Sequence, residues 1–268
     1  MKQTSRLAPD YELEYKGKKD DLSFWIKLVR DLGAHSVLEL GVGTGRVLFP
    51  LVDSLREQVK KAVGIEIDKV LLSQAREKLK RRYQKINSKV RLVRADMRSF
   101  EVKDRFDFIF IPFNTFSLIY ELRDHLAVLR AVKKHLKQKG HFALEVYAPN
   151  LSRLTRKFQR KVISRKEFLD KAQGIKLVRM RTARYYPASQ VINNRYDFKK
   201  YRLKDKRLIE RYSTTFKLYK FFPTELRFLL ESKGFLIEHF WGDYERNEFG
   251  NDSKKMIVIA KKSRFKQA

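Results

Sequence analysis

The chain of 268 residues contains no cysteine. That excludes disulfide staples, thiolate nucleophiles and cysteine-ligated zinc, and leaves the redox compartment unread. It also lacks a long apolar run. No stretch reaches the roughly 18 apolar residues that a membrane span needs, and the opening MKQTSRLAPDYELEY has no signal-peptide core, so a cytoplasmic location is the expectation. Acids are scarce against bases: 31 Asp and Glu face 61 Lys and Arg, for a formal net charge of +30. That imbalance cannot be absorbed in ion-pair networks, so heat adaptation alone explains it poorly. A lysine-rich composition and attraction to polyanions both remain open. On a 32.0 kDa globule exposing roughly 12,000 Å², the excess amounts to about one charge per 400 Å². What the chain does have is enough apolar material, 43% of residues, to bury the core of one large α/β domain with an insertion, or of two small domains.

Over the first 150 residues, short β-rich runs alternate with helical patterns. The runs are Ser36 to Leu40, Ala62 to Glu66, Val90 to Arg94, Phe106 to Ile111 and His141 to Val146. Steps of about 25 to 30 residues read as βαβ units and a parallel sheet. Between them, Val70, Leu71, Leu72, Ala75 and Leu79 keep helical spacing, as do Leu126, Leu129, Val132 and Leu136, with Gly140 as a stop. Residues 151–222 differ: a basic helix-compatible piece (Leu151, Leu154, Phe158, Val162) precedes long β-rich runs broken near Pro187 and Lys204 to Lys206. Alternation through Leu208, Glu210, Tyr212, Thr214, Phe216 and Leu218 predicts antiparallel strands with one covered face. This block holds 22 Lys and Arg against 5 Asp and Glu. A helix from Pro223 to Ser232, a strand from Phe235 to Trp241 and a last strand from Met256 to Ala260 then return to the α/β texture, the two strands forming an antiparallel hairpin at the sheet edge.

The first strand runs into Glu39-Leu40-Gly41-Val42-Gly43-Thr44-Gly45-Arg46 and then a helical segment. Glycines at 41, 43 and 45 permit a tight turn and close approach of a ligand, while a purely structural turn is the plain alternative. Arg46 stands where a dinucleotide fingerprint wants glycine or alanine, and a Walker lysine is absent, so NAD and nucleoside triphosphates are disfavoured. Glu66 ends the second strand in VGIEID, where a carboxylate can accept both hydroxyls of a ribose. Asp96 follows the third in VRADMRSF, where it can accept from an adenine amino group while Met97 offers its amide and an apolar face. The coincidence of loop and acids at successive strand ends is the signal, because open α/β sheets bind ligands there.

In order, VLELGVGTGR, VGIEID, RADMRSF, FDFIFIPFNTFSLI and LRAVKKHLKQKGHFALEV resemble the core of the class I S-adenosylmethionine-dependent methyltransferases. The tail FFPTELRFLLESKGFLIEHFWGDYERNEFGNDSKKMIVIAKK is similar to that of their small-molecule N- and O-methyltransferases. The resemblance implies a Rossmann-like α/β fold: a seven-stranded, mostly parallel sheet with its last strand antiparallel and an inserted antiparallel lid. It implies three parts, 1–150 as cofactor-binding core with an N-terminal closing segment, 151–222 as lid, and 223–268 as final helix and hairpin. It assigns S-adenosylmethionine as cofactor, with Gly41, Gly43 and Gly45 at the methionine end, Glu66 at the ribose and Asp96 with Met97 at the adenine. Glu39, Ile67 and Phe113 are counted among the cofactor-binding residues, and Tyr11 and Tyr15 of DYELEY match the closing segment's hydroxyls.

Methyl transfer is an in-line displacement, so holding the acceptor lone pair about 3 Å from the methyl supplies much of the catalysis, and a base is optional. Asn114 after the fourth strand, Tyr147 after the fifth and Tyr185 in the insertion are the candidate catalytic residues, with Arg184 beside the last. Related enzymes place a histidine after the fourth strand; here NTFSLIY has none. His35, His125, His135 and His239 read as structural, the histidines have no metal-ligand spacing, and no metal is expected. The exit Ile111-Pro112-Phe113-Asn114 lacks the second proline usual in base N6 methylation. The expected acceptor is therefore a small molecule methylated on nitrogen or oxygen. The alternative is RNA or another polyanion held by the basic, aromatic lid (Tyr185, Tyr186, Tyr196, Phe198, Tyr201, Tyr212, Phe216, Tyr219).

Overall fold

The structure is a computed structural model that describes residues 8–263 apart from 16, 19 and 151–163. The helix expected from Leu151 to Val162 lies outside the described residues. Two compact units divide the chain, residues 19–149 with 221–268 and residues 1–18 with 150–220.

The larger unit opens with α2 (Asp20–Asp31), after α1 (Ala8–Tyr15) of the other unit. Acids in its first turn favour the α2 N-terminus, and Phe24, Trp25, Leu28 and Val29 form its buried stripe. There follow β1 (Ser36–Leu40), α3 (Leu48–Ser54), β2 (Lys61–Glu66), α4 (Lys69–Arg82), β3 (Val90–Arg94), β4 (Phe106–Ile111), α5 (Leu122–His135) and β5 (Leu136–Tyr147). The unit closes with α6 (Pro223–Glu231), β10 (Phe235–Trp241) and β11 (Lys255–Lys262). Its seven strands lie in the order β10-β11-β5-β4-β1-β2-β3. β1 to β5 pair in parallel, and β11 runs antiparallel between β5 and β10. The expected hairpin is present, with β10 as the edge and the last strand drawn inside. β1 and β4 bury both faces, which is why SVLEL and FDFIFI read as nearly unbroken apolar runs. On one face Trp25 packs on Phe108 and Phe110, in a layer that includes Val37, Phe49 and Ile257. Strand order reverses between β1 and β4, the switch point where such sheets bind ligands.

Two local expectations change. The α5 pattern ends at His135, and Gly140 lies inside β5 rather than stopping a helix. A Cβ at Gly140 would meet the carbonyl oxygen of Phe106 at 2.8 Å, so glycine is there for the close approach of β4, whose register to β5 shifts between Phe106 and Phe108. Val70 is exposed in the first turn of α4; that helix starts on Asp68, whose carboxylate accepts from the Val70 and Leu71 amides at 2.8 and 3.1 Å.

In the smaller unit, β6 (Ser164–Asp170), β7 (Ile175–Tyr186), β8 (Val191–Arg202) and β9 (Leu208–Tyr219) form an antiparallel sheet in that order. The turn at Pro187–Ser189 and the break at 203–207 fall at the expected punctuation. α1 covers one face of this sheet: Asp10 accepts from the Tyr212 hydroxyl and pairs with Lys200 at 3.0 Å, and Glu14 pairs with Arg179. α1 thus groups with the inserted sheet, where the sequence reading assigned it to the part with the core. Four of the lid aromatics pack on one another, Phe198 stacked on Tyr212 at 4.6 Å and Tyr196 edge-on to Phe216 at 5.0 Å. Among the described residues no helix is long and apolar enough to cross a membrane.

Candidate active site

The loop from β1 to α3 turns through three left-handed glycines, Gly41, Gly43 and Gly45 at φ 77°, 56° and 76°, a region costly for residues with a side chain. A Cβ at Gly41 would meet Thr115 at 2.4 Å, and one at Gly45 the Phe49 ring at 2.2 Å. The loop is tied down by its own amides: Gly41 and Val42 both donate to the Ile65 carbonyl at 2.8 and 2.9 Å, and Gly43 donates to Glu66 Oε2 at 2.9 Å. The other Glu66 oxygen accepts from the Asp68 amide at 2.9 Å. Burial raises the Glu66 carboxyl above its usual range, with the Asp68, Gly43 and Ile67 amides holding it back. Three amides on the two oxygens leave the Glu66 carboxylate capacity to accept a further hydroxyl.

Glu39, one residue from the end of β1, is 2% exposed and takes a hydrogen bond from the Leu48 amide, while its Oε2 has no partner among the described residues. Burial pushes its carboxyl well above the usual range; the Arg46 charge opposes this and the acids Asp21 and Glu66 add to it. Arg46 itself donates both terminal nitrogens to Asp21, at 2.8 and 2.5 Å, and lies over the Phe113 ring at 5.2 Å.

Asp96 is held differently from expectation. It accepts from the Arg98 backbone amide at 2.9 Å and from the Arg98 guanidinium at 2.6 to 3.0 Å, and Arg98 reaches Asp124 at 2.6 Å. Burial works to raise the Asp96 carboxyl, but the hydrogen bonds from Arg98 outweigh it and hold it below the usual range. Met97 beside it is half-buried, and Ile67 receives the Arg94 Nε at 3.5 Å.

At the β4 exit, Phe113 and Asn114 are both left-handed, φ 54° and 64°, a backbone strain of roughly 1–3 kcal/mol each that the surroundings must impose. Glu145 of β5 imposes it. Its carboxylate accepts from the Phe113 amide at 3.1 Å and its carbonyl from the Asn114 amide at 3.0 Å. Glu145 is 1% exposed, and its other oxygen takes the Tyr244 hydroxyl at 2.7 Å and Lys255 Nζ at 3.0 Å. Asn114 Oδ1 accepts from the Tyr147 amide and the Ser117 hydroxyl, each at 3.0 Å, which brings Asn114 and Tyr147 together. Tyr185 lies on β7, and Tyr11 and Tyr15 lie on α1, in the other unit; the Tyr11 and Tyr15 rings are 4.7 Å apart, and burial raises the Tyr15 hydroxyl. Glu145, Tyr244, Lys255 and Asp21 were missed from sequence. A lone glutamate in the apolar run FALEVY was the available sign.

Residues 37–140 match the methyltransferase domain family. Residues 37–140 form a methyltransferase domain. The domain spans β1 to α5 and the start of β5, and so contains the glycine loop, Glu66, Asp96 and the β4 exit. A curated relative, cypemycin N-terminal methyltransferase from Streptomyces sp, is 29% identical over 125 residues, 47% of either chain, so the chain spans about half the length of the curated relative it matches. The CcbJ methyltransferase of Streptomyces caelestis superposes with a TM-score of 0.73 at 21% identity, over 91% of this chain and 90% of that one. The sugar N-methyltransferase KedS8 of Streptoalloteichus sp gives 0.70 at 18%, over 94% and 93%. These likenesses establish the fold across both units. The methyltransferase domain also fits its cofactor on local grounds, with an orphaned buried carboxyl oxygen on Glu39 and acceptor capacity left on Glu66.

Proposed function

We propose that the protein transfers a methyl group from S-adenosylmethionine to an amine nitrogen of a small-molecule acceptor. The observation that carries this is the sign of charge at the strand ends. In a chain of net charge +30, the carboxyl edge of the sheet collects Glu39, Glu66, Asp96 and Glu145, and Arg46, Arg98 and Lys255 are each committed to an acid. Such an edge suits a sulfonium donor and an amine, and repels a polyanion. The relatives named as a cypemycin N-terminal methyltransferase and a sugar N-methyltransferase support the same choice.

When bound, the cofactor supplies an electrophilic methyl group. The chain's own work is to bind and to orient. Gly41, Gly43 and Gly45 let the loop make its tight turn, Glu66 can accept a hydroxyl, and Met97 offers an apolar face. At the acceptor side, Asn114 spends its carbonyl on Tyr147 and Ser117, while its Nδ2 donates to no described residue, leaving an N–H with which to fix an acceptor. Phe113 and Tyr147 meet edge to face at 6.5 Å and wall the exit. Glu145 holds that exit in its strained form before any ligand arrives, so orientation costs little at the moment of reaction. A neutral amine needs no protein base, since its lone pair is already free, whereas a hydroxyl would need one.

The test is transfer of isotope-labelled methyl to matched amine and hydroxyl acceptors and to total RNA. Amines should be labelled, with a rate that climbs as pH approaches the amine pKa. Labelling of hydroxyl analogues alone, or of RNA alone, would overturn the reading. The second reading, a polyanion acceptor, draws on the +17 excess of residues 151–222.

A further inference from the structure

The positive charge of the larger unit gathers on α4 and the chain that follows it. Residues 69–94 hold ten Lys and Arg against one acid, Glu77, a more lopsided stretch than the inserted block. Several exposed bases elsewhere on the unit meet acids: Lys61 pairs with Asp104, Lys134 with Glu101 and Lys137 with Asp107. On α4, Glu77 is taken by Arg81 at 3.0 Å, and Lys69, Arg76, Lys80 and Lys85 pair with no described residue. Lys69, Ser73, Arg76 and Lys80 follow at steps of four, three and four, which sets them in one row on the exposed face of the helix. At 1.5 Å per residue that row runs about 17 Å. Lys85 is exposed in the turn Gln84–Ile86 just beyond it.

Helix electrostatics explain only the end of this row. Lys80, Arg81 and Arg82 suit the negative C-terminus, but Lys69 stands in a first turn that has no acid, and Arg76 is mid-helix. The row is also remote from the acidic strand ends. α4 runs back from the Glu66 end of β2 to the start of β3, so its last turn and Lys85 lie at the amino edge of the sheet. The apolar stripe of α4, Leu71, Leu72, Ala75 and Leu79, is buried, so no apolar face is left to enter a bilayer. Tyr83, the only aromatic in residues 69–94, packs on the Phe49 ring at 5.4 Å, which leaves no platform on which single-stranded bases could stack. What is presented is a row of cations with a hydroxyl among them, the donor set that holds the phosphates of a double helix.

We propose that the exposed face of α4, with the turn after it, docks the phosphate backbone of double-stranded nucleic acid. This surface is separate from the strand ends, so it holds the protein on a polyanion without offering that polyanion for methylation. Phosphate contacts carry no sequence information, and binding is therefore independent of base sequence.

Fluorescence anisotropy of the full chain with a labelled DNA duplex of about 20 base pairs, in about 50 to 200 mM salt, tests this. Four phosphate contacts give a logarithmic salt slope of at least about −3 and a Kd on the order of 1–100 μM at physiological salt, the same for a duplex of unrelated sequence. Lys69→Gln, Arg76→Gln, Lys80→Gln and Lys85→Gln combined should weaken binding at least about tenfold and flatten the slope by about 3. Lys171→Gln, Lys204→Gln, Lys206→Gln and Arg211→Gln remove the same charge from exposed positions of the other unit. That second combination should change affinity less than about twofold. Wild-type protein gives an independent readout: the duplex should shield the Lys69, Lys80 and Lys85 amines from acetylation, followed by mass spectrometry, even if the first variant folds poorly. Equal weakening by the two combinations, no shielding of those lysines, or tighter binding to oligouridine or to phosphatidylserine vesicles than to the duplex overturns the proposal.

Discussion

Replacing Lys255 by methionine removes the cation from a carboxylate that is 1% exposed. Lys255 itself is 15% exposed on its side chain and reaches Glu145 and the Tyr244 hydroxyl at 3.0 Å each. Removing one partner of a buried pair costs about 3–5 kcal/mol, because the remaining charge is stranded. Here Tyr244 still donates to Glu145, and the pair is not wholly dry, so about 3 kcal/mol is expected. For a unit of this size that lowers Tm by roughly 6–12 °C. Both tryptophans, Trp25 and Trp241, lie in the same unit as the pair, so urea unfolding followed by their fluorescence reports it alone. Adding Glu145→Gln to Lys255→Met removes the stranded charge and keeps an acceptor for the Phe113 amide; the double variant should recover at least about 1 kcal/mol over Lys255→Met. A loss under about 1 kcal/mol in Lys255→Met, or a double variant as unstable as the two single losses added, would refute the account of Glu145 as a charged strut.

Glu66→Ala should weaken S-adenosylhomocysteine binding roughly tenfold to a hundredfold, the cost of about 1.5–3 kcal/mol for hydrogen bonds to a charged acceptor, and calorimetry showing unchanged affinity would remove Glu66 from the site. Gly45→Ala combines a left-handed φ of 76° with a Cβ placed 2.2 Å from the Phe49 ring, so it should cost about 2–4 kcal/mol in denaturant unfolding. His125 is buried under Phe116 and Phe221, donates its Nε2–H to the Ile119 carbonyl at 3.0 Å, and is pushed down to about 4 by burial. The unfolded chain therefore takes up a proton that the folded one refuses, and stability falls by about 3 kcal/mol as pH drops from 6.5 towards 4; His125→Phe should lose that part of the acid sensitivity. For the acceptor, RNA binding with a logarithmic salt slope of about −0.7 per phosphate contact is expected only as a weak, sequence-independent background. If neutralising Arg156, Lys157, Arg160 and Lys161, which lie outside the described residues, abolishes turnover on RNA while cofactor binding persists, the acceptor is the polyanion.

Periodicity and punctuation carried most of the fold into the sequence. Strands buried on both faces must be nearly all apolar, so β1 and β4 could be bounded to the residue, and the αL glycine before β10 marked the end of α6. The glycine loop and Glu66 were legible for a similar local reason, since a turn through three left-handed residues admits few sequences other than glycine. Contacts between residues far apart in the chain were not legible. That Glu145 meets Lys255 and Tyr244, about a hundred positions on, depends on β11 inserting antiparallel beside β5, which no local pattern states. That Asp96 is already spoken for by Arg98, and that α1 lies on the inserted sheet through Asp10 and Glu14, are likewise outcomes of packing. The sequence by itself determined which strand ends carry the glycine turn and the acids, because burial and turn geometry act within a few residues. Only the tertiary structure decided which acids are paired and which one is left alone, because desolvation and ion pairing depend on neighbours that the fold, not the chain order, supplies.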